Sequence, residues 1–264
     1  MKFVIQKINN EIRHDFSFTL LESIKYHNWL TNGVDMKCKF INTRDARPTI
    51  DDTGKINLPQ SKTWSFKDFH INYVPVGSVE FVLFYMKWFS IEQPKPMNVP
   101  DELIPYAGRE IINGNEMTVE FLFAKPNKYF IKSNDVIKGL SEFIDTYDTS
   151  ITLPKGNYQI SEFIDIQSEW RCFVYKGELV GVQNYSGDFT LFPDVWKIKN
   201  VMIPAFKSAP IAYTLDVGIV NDVDTVVIEC HPMMSVGLYG FSDHRILPHM
   251  FHRTFNELAQ KKIV

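Results

Sequence analysis

The stretch TVVIECHP, residues 225–232, runs a β-branched, apolar segment straight into a carboxylate, Glu229, and an imidazole, His231. Residues two apart on a strand share a face, so both side chains point the same way. A second acid, Asp216, lies thirteen residues before Glu229 in YTLDVGIV, and the turn-forming VNDVD between them lets an antiparallel hairpin set the two carboxylates side by side. Two carboxylates and a neighbouring ligand on one sheet face can hold a divalent cation that also touches phosphates, as Mg²⁺ is usually bound. The plainer alternative is that both acids sit at strand ends, exposed or paired with a nearby lysine, since buried acids are rare unless paired or metal-bound.

Two further groups could share in such chemistry. Lys132 ends the apolar strand YFIK, and Lys138 follows in DVIKG. A lysine there can bury its stem and aim its ammonium into a cleft as a point charge on phosphate, or can simply snorkel to the surface. In ISEFIDIQSEWRCFV, the residues Glu162, Asp165, Glu169 and Arg171 crowd one segment. Arg171 could neutralise a phosphate or a developing acyl phosphate through its planar fork of donors, or could form an ion pair with Glu169 on the same face. His244, His249 and His252 beside Asp243 lack cysteine partners and an HExxH pattern, and Cys172 and Cys230 lie inside apolar strands as small hydrophobes do.

These residues need elements to position them. FVIQKI (3–8) reads as a strand and DFSFTLLESIKYHNWL (15–30) as a helix, capped by Asp15 or Ser17, with Phe18, Leu21, Ile24 and Tyr26 on one face. Residues 31–70 read as loops around one or two short strands, and the apolar run after Pro75 and Gly77 as helix or strand. EQPKPMNVPDELIP holds four prolines in fourteen residues and marks the domain boundary. Beyond it, MTVEFLFAKP and KYFIKS read as two strands, SNDVIKGLSEFID as a loop and helix, and CFVYKGELVGVQ as a hairpin turning at Lys176-Gly177. FPDVWKIKNVMIPAF has helical spacing, and ILPHMFHRTFNELAQKKI is an amphipathic helix with Pro248 in its first turn. Antiparallel strands with flanking helices make an α+β domain. The chain has 264 residues, 45% of them hydrophobic and 22% charged, as in globular proteins, and its net charge of −3 gives no bulk reason to expect nucleic acid. No apolar run reaches the about 18 residues that span a bilayer. Three cysteines without a CxxC and the lack of an export signal predict a cytoplasmic location.

Taken in order, these segments resemble the ATP-grasp superfamily, and more closely its small bacterial and phage branch, the R2K clade. The resemblance covers residues 105–240 and reaches further N-terminal through YVPVGSVEFV. It implies an α+β ATP-grasp fold, two α+β subdomains clasping ATP over residues 101–264, preceded by a smaller α/β domain over residues 1–100. By the resemblance Lys132 contacts phosphate; Glu162, Phe163 and Ile164 form an adenine hinge; Glu169, seven residues on, takes the ribose hydroxyls; and Arg171 faces nucleotide or substrate. Asp216 and Glu229 would hold Mg²⁺. His231 stands where the family usually has Asn, which would favour Mn²⁺, remove one metal contact, or free the residue for substrate. Thr214 stands where many members carry an arginine, leaving acyl-phosphate charge to Arg171 or to Arg109 in YAGREI. SNDVIKG is a short, glycine-poor version of the phosphate-covering loop, for which Lys138 would compensate. The implied reaction joins a carboxylate, from an amino acid, peptide or protein, to an amine at the expense of ATP, in the cytoplasm of a bacterium or of a phage's host. A phosphotransferase and an inactive nucleotide-binding or interaction module are the alternatives.

Overall fold

The apolar run near the N-terminus becomes β1 (Lys2–Ile8), whose residues Phe3, Val4 and Ile5 are buried. It is followed by α1 (Asp15–Leu30), β2 (Lys37–Thr43), the two-residue pair β3 (Thr49–Ile50) and β4 (Ile56–Asn57), β5 (Val74–Val76) and α2 (Val79–Trp88). β1 is the centre of a parallel sheet ordered β2-β1-β5. The computed structural model describes residues 1–33, 35–43, 49–50, 56–57, 65–123, 127–146 and 153–260. The ambiguous run at 79–88 is helix, capped by Ser78, whose hydroxyl accepts the Phe81 amide at 3.2 Å. On α1 the buried apolar residues are Phe16, Leu20 and Ile24, whereas Phe18 is 57% exposed. Neither expected residue caps α1: His14 is the N-cap, and the Asp15 carboxylate instead accepts the amides of Phe16 and Leu238.

A 3₁₀ turn (Asp101–Tyr106) leads into β6 (Ile111–Asn115), α3 (Glu116–Phe123), β7 (Lys128–Ser133), β8 (Ser141–Asp145) and β9 (Asn157–Glu162). These strands form an antiparallel sheet ordered β6-β9-β7-β8. Two expectations are corrected here. MTVEFLF is helix, not strand: Val119 is buried and Leu122, three residues on, packs beside it, whereas Met117 and Phe121 face solvent. LSEFID is strand, not helix, because it pairs along the open side of β7 with Ile144 buried beneath and Phe143 outside.

The remaining chain forms β10 (Ser168–Tyr175), β11 (Glu178–Gly187), two short helical turns, α4 (Val195–Lys197) and α5 (Ile203–Ala205), joined by a π-helical turn, then β12 (Ala212–Val220), β13 (Asp224–Pro232) and α6 (Leu247–Gln260). The strands make an antiparallel sheet ordered β11-β10-β12-β13, with β10 and β12 buried on both faces over most of their length. The hairpin between β10 and β11 turns at Lys176-Gly177 as expected. At the other end of β11, Gly187 has φ of +75°, and a Cβ there would sit 2.2 Å from the Gln167 carbonyl oxygen. Gly187→Ala is therefore expected to cost about 1–2 kcal/mol for the left-handed backbone alone, with the clash added, read as a lower urea midpoint at unchanged slope.

α6 returns to the N-terminal sheet. Its Leu247, Met250, Phe251 and Phe255 share one core with Phe3, Ile5, Leu20 and Tyr85, and the Phe16 and Phe251 rings stack at 6.5 Å. No helix among the described residues is long and apolar enough to cross a membrane.

Candidate functional site

Strand register builds a row of polar side chains across the last sheet. Gln183 of β11 pairs with Arg171 of β10, Arg171 with Asp216 of β12, and Asp216 with Glu229 of β13. Directly paired residues present their side chains to one face, so the acids placed side by side by the hairpin argument do share a face with the arginine. Arg171 grips Asp216 with both arms, Nε to Oδ1 at 2.8 Å and Nη2 to Oδ2 at 2.6 Å, and gives a third donor to the Gly237 carbonyl at 3.1 Å. The ion pair expected as one alternative, Arg171 with Glu169, does not form; Glu169 accepts the Tyr185 hydroxyl at 2.7 Å instead. Burial works against the Arg171 charge, but the hydrogen bonds and charge of Asp216 outweigh it and hold the guanidinium pKa above its usual value.

Two β-bulges turn extra residues toward this face. Between Glu169 and Trp170 the register of β11 slips past Tyr185, whose ring lies 5.6 Å from the Arg171 guanidinium and stacks on Tyr239 at 5.1 Å. Between Asp216 and Val217 the register of β13 slips past Ile228, so that Ile228 and Glu229 line the same cleft. Arg109 fastens this second bulge: its guanidinium donates to the carbonyls of Ala107 at 3.0 Å, Val227 at 2.8 Å and Ile228 at 3.1 Å. Gly218, on the Asp216 face, leaves room for the apolar floor; a Cβ there would lie 2.8 Å from Ile166 and 3.2 Å from Ile228.

The second sheet supplies the opposing wall. Tyr129 and Ile131 of β7 enter its core, so Phe130 and Lys132 face the cleft. Lys132 spans the gap and meets Glu229 Oε2 at 2.5 Å. Burial opposes the Glu229 charge, yet the hydrogen bond and charge of His231 and the charge of Lys132 prevail and pull its pKa down to about 2. His231 Nε2 lies 3.4 Å from Glu229 and 3.6 Å from Asp216; against burial, these two acids lift its pKa to about 9.

Around that contact lies a cleft of about 430 Å³, lined by Glu162, Phe163, Ile164 and Glu169 on one side and by Arg109, Lys132 and Glu229 on the other. The amides of Glu162 and Phe163 are already bonded to the carbonyls of Glu110 and Lys128 at 3.0 Å each, while among the described residues the Ile164 amide has no protein acceptor. Lys138 is not in this cleft. Its ammonium pairs with Glu80 of α2 at 2.7 Å, and the turn that carries it is tight and bonded to itself through Ser133 and Gly139.

Asp216, Glu229 and His231 each offer a ligand atom within 4.8 Å of the others, and among the described residues no second group of this kind forms. Two carboxylates and an imidazole fit one divalent cation. The buried Thr214 hydroxyl, opposite His231 in the register and without a hydrogen-bond partner among the described residues, adds an oxygen beside them. Sequence reasoning missed Tyr185, Ile228 and Gln183, because bulges and cross-strand register leave no mark in a period-two pattern.

The family model described as the ATP-grasp domain, R2K clade family 2, matches residues 106–248. No curated protein sequence matches the chain. Among solved structures, D-cycloserine synthetase DcsG is similar over 97% of this chain and 100% of its own, with 8% identity and a TM-score of 0.53. A RimK domain ATP-grasp protein from Sphaerobacter thermophilus is similar over 97% and 99%, with 12% identity and a TM-score of 0.49. D-alanine–D-alanine ligase from Bacillus anthracis is similar over 98% and 97%, with 9% identity and a TM-score of 0.48.

Proposed function

The chain belongs to the ATP-grasp domain family, R2K clade family 2, and from that premise we propose that it is an ATP-dependent carboxylate–amine ligase acting through an acyl phosphate. The fold is α+β ATP-grasp, and at the family level the protein is an ATP-binding ligase. The observation that supports the finer reading best is the Lys132–Glu229 contact, where one charged residue from each sheet meets at the end of a cleft whose other end is the Glu162–Ile164 segment. A nucleotide laid along it would place its base against the hinge, its ribose at Glu169 and its phosphates at Lys132.

In the proposed reaction a carboxylate oxygen attacks the γ-phosphorus of ATP, the bond to the β–γ bridging oxygen breaks, and ADP leaves. An amine then attacks the acyl carbon, loses a proton and expels inorganic phosphate. Lys132 would hold the phosphates as a fixed positive charge, and Arg171, oriented by Asp216, would face the charge that builds on the transferring group. Arg109 holds the β13 bulge, so its part is to position Glu229. A divalent cation bound by Asp216, Glu229 and His231 would neutralise phosphate charge. This chemistry is mostly positioning and electrostatics and needs no covalent nucleophile.

Purified protein supplied with ATP, Mg²⁺ or Mn²⁺ and pooled amino acids should release ADP and phosphate together with a condensed product heavier than either substrate alone. A phosphorylated acceptor without free phosphate would identify a phosphotransferase, and ADP binding without turnover an inactive module. If Glu169 takes the ribose hydroxyls, Glu169→Ala should weaken ADP binding by roughly tenfold, the worth of one charge-assisted hydrogen bond. It should also abolish the preference for ADP over deoxy-ADP, measured by calorimetry; an unchanged preference would remove Glu169 from that role.

A further inference from the structure

Tyr185 is the extra residue of the first bulge, and its neighbour fastens that bulge in place. The Asn184 side-chain amide donates to the carbonyls of Glu169 at 3.2 Å and Ser186 at 3.1 Å, and reaches the Ser168 hydroxyl at 3.2 Å. So held, the Tyr185 side chain touches two polar residues of β10 at once. Its hydroxyl donates to Glu169 Oε2 at 2.7 Å, and no other hydrogen bond to that carboxylate forms among the described residues, which leaves Oε1 for a ligand. Its ring lies 5.6 Å from the Arg171 guanidinium; the Tyr239 ring lies 5.1 Å from the same group, and the two rings stack at 5.1 Å. Burial, and after it the charge of Asp216 and the bond to Glu169, push the phenol pKa far above its usual value, so the hydroxyl keeps its proton and acts as a donor.

We infer that Tyr185 is a positioning residue with two separable parts: its hydroxyl orients the Glu169 carboxylate for the ribose of the nucleotide, and its ring, backed by Tyr239, holds the Arg171 guanidinium in place beside Asp216. The inference rests on the roles proposed above for Glu169 and Arg171. These two lie two residues apart on β10 and share a face, so one side chain from β11 can serve both. Two observations favour positioning over plain packing. The arginine that could neutralise Glu169 is turned to Asp216, so the Tyr185 hydroxyl is the group that fixes the direction of the Glu169 carboxylate. The donors of Arg171 are spent on Asp216 and the Gly237 carbonyl, and the tyrosine faces hold the cation itself, a contact those acceptors do not supply.

The test separates the two parts without using turnover. Calorimetry of the full chain with ADP and with 2′-deoxy-ADP, both in Mg²⁺, compares the wild type, Tyr185→Phe, Glu169→Ala and the double variant. Tyr185→Phe keeps the ring, so it should weaken ADP binding by roughly two- to tenfold, the net worth of one hydrogen bond, and shrink the preference for ADP over 2′-deoxy-ADP. In the Glu169→Ala background the same change should do nothing, since the two groups act as one. Hydrogen exchange at Arg171 Nε, followed by NMR with ¹⁵N-labelled arginine, reads the other part. Tyr185→Leu, and Tyr239→Ala at a side chain that is 46% exposed, should speed that exchange by roughly two- to fivefold. Tyr185→Phe should leave it as in the wild type. An unchanged ribose preference in Tyr185→Phe, beside a lost one in Glu169→Ala, would overturn the part given to the hydroxyl. Unchanged exchange in both Tyr185→Leu and Tyr239→Ala would overturn the part given to the ring. If Glu169→Ala itself keeps the preference, it is the ribose reading that fails, and the exchange measurement still decides what the ring does.

Discussion

Replacing Arg171 by alanine is expected to cost about 3–5 kcal/mol of folding free energy, because it leaves a buried carboxylate without its partner. Asp216 is 1% exposed, and both of its oxygens are held by that guanidinium. For a chain of this size the loss corresponds to roughly 10 °C or more in Tm. The double variant Arg171→Met with Asp216→Leu should recover much of the stability, since it removes the stranded charge with its partner, yet it should remain without turnover. That split separates the structural share of the pair from its share in chemistry. A single-variant loss below about 1 kcal/mol, typical of an exposed ion pair, would show that the pair does not stabilise the sheet.

Lys132→Ala should show the opposite balance. Glu229 keeps His231 at 3.4 Å as a partner when the ammonium is lost, so stability should fall by less than in Arg171→Ala, where the buried Asp216 is stranded. The initial rate of ADP formation should fall by roughly 10²–10³, as when one preorganised donor is removed from a transferring group. The same variant should bind Mn²⁺ more tightly than the wild type in the absence of nucleotide, because the ammonium no longer competes for Glu229. Calorimetry with Mn²⁺ and a steady-state assay read the two effects separately. Weaker Mn²⁺ binding in the variant would remove Glu229 from the ligand set.

The parts of this molecule that obey a simple period could be read before folding. The hairpin that aligns Asp216 with Glu229 follows from their spacing and the turn between them, and Lys132 reaches the cleft because Ile131 must go the other way. Three kinds of information lay outside such patterns. Ile228 reaches the cleft only through a bulge, which inserts a residue without a composition cue. α3 carries β-favouring residues, Val119 and Phe121, and is decided by burial of Val119 against the sheet. Lys138 reads locally as a lysine free to meet phosphate, but the N-terminal part brings Glu80 to it, a partner 58 residues away that no local window contains.

The return of α6 to the N-terminal sheet bears on the order in which the protein can fold as it is made. The core of that sheet includes Leu247, Met250, Phe251 and Phe255, which leave the ribosome after every strand has been synthesised. The first sheet must therefore wait with part of its apolar surface uncovered while both ATP-grasp sheets emerge and fold. Contacts so distant in sequence are slow to form, and surface exposed meanwhile is prone to aggregate. Translation rate and chaperone access should thus limit the yield of active protein more than the equilibrium stability of the finished fold does.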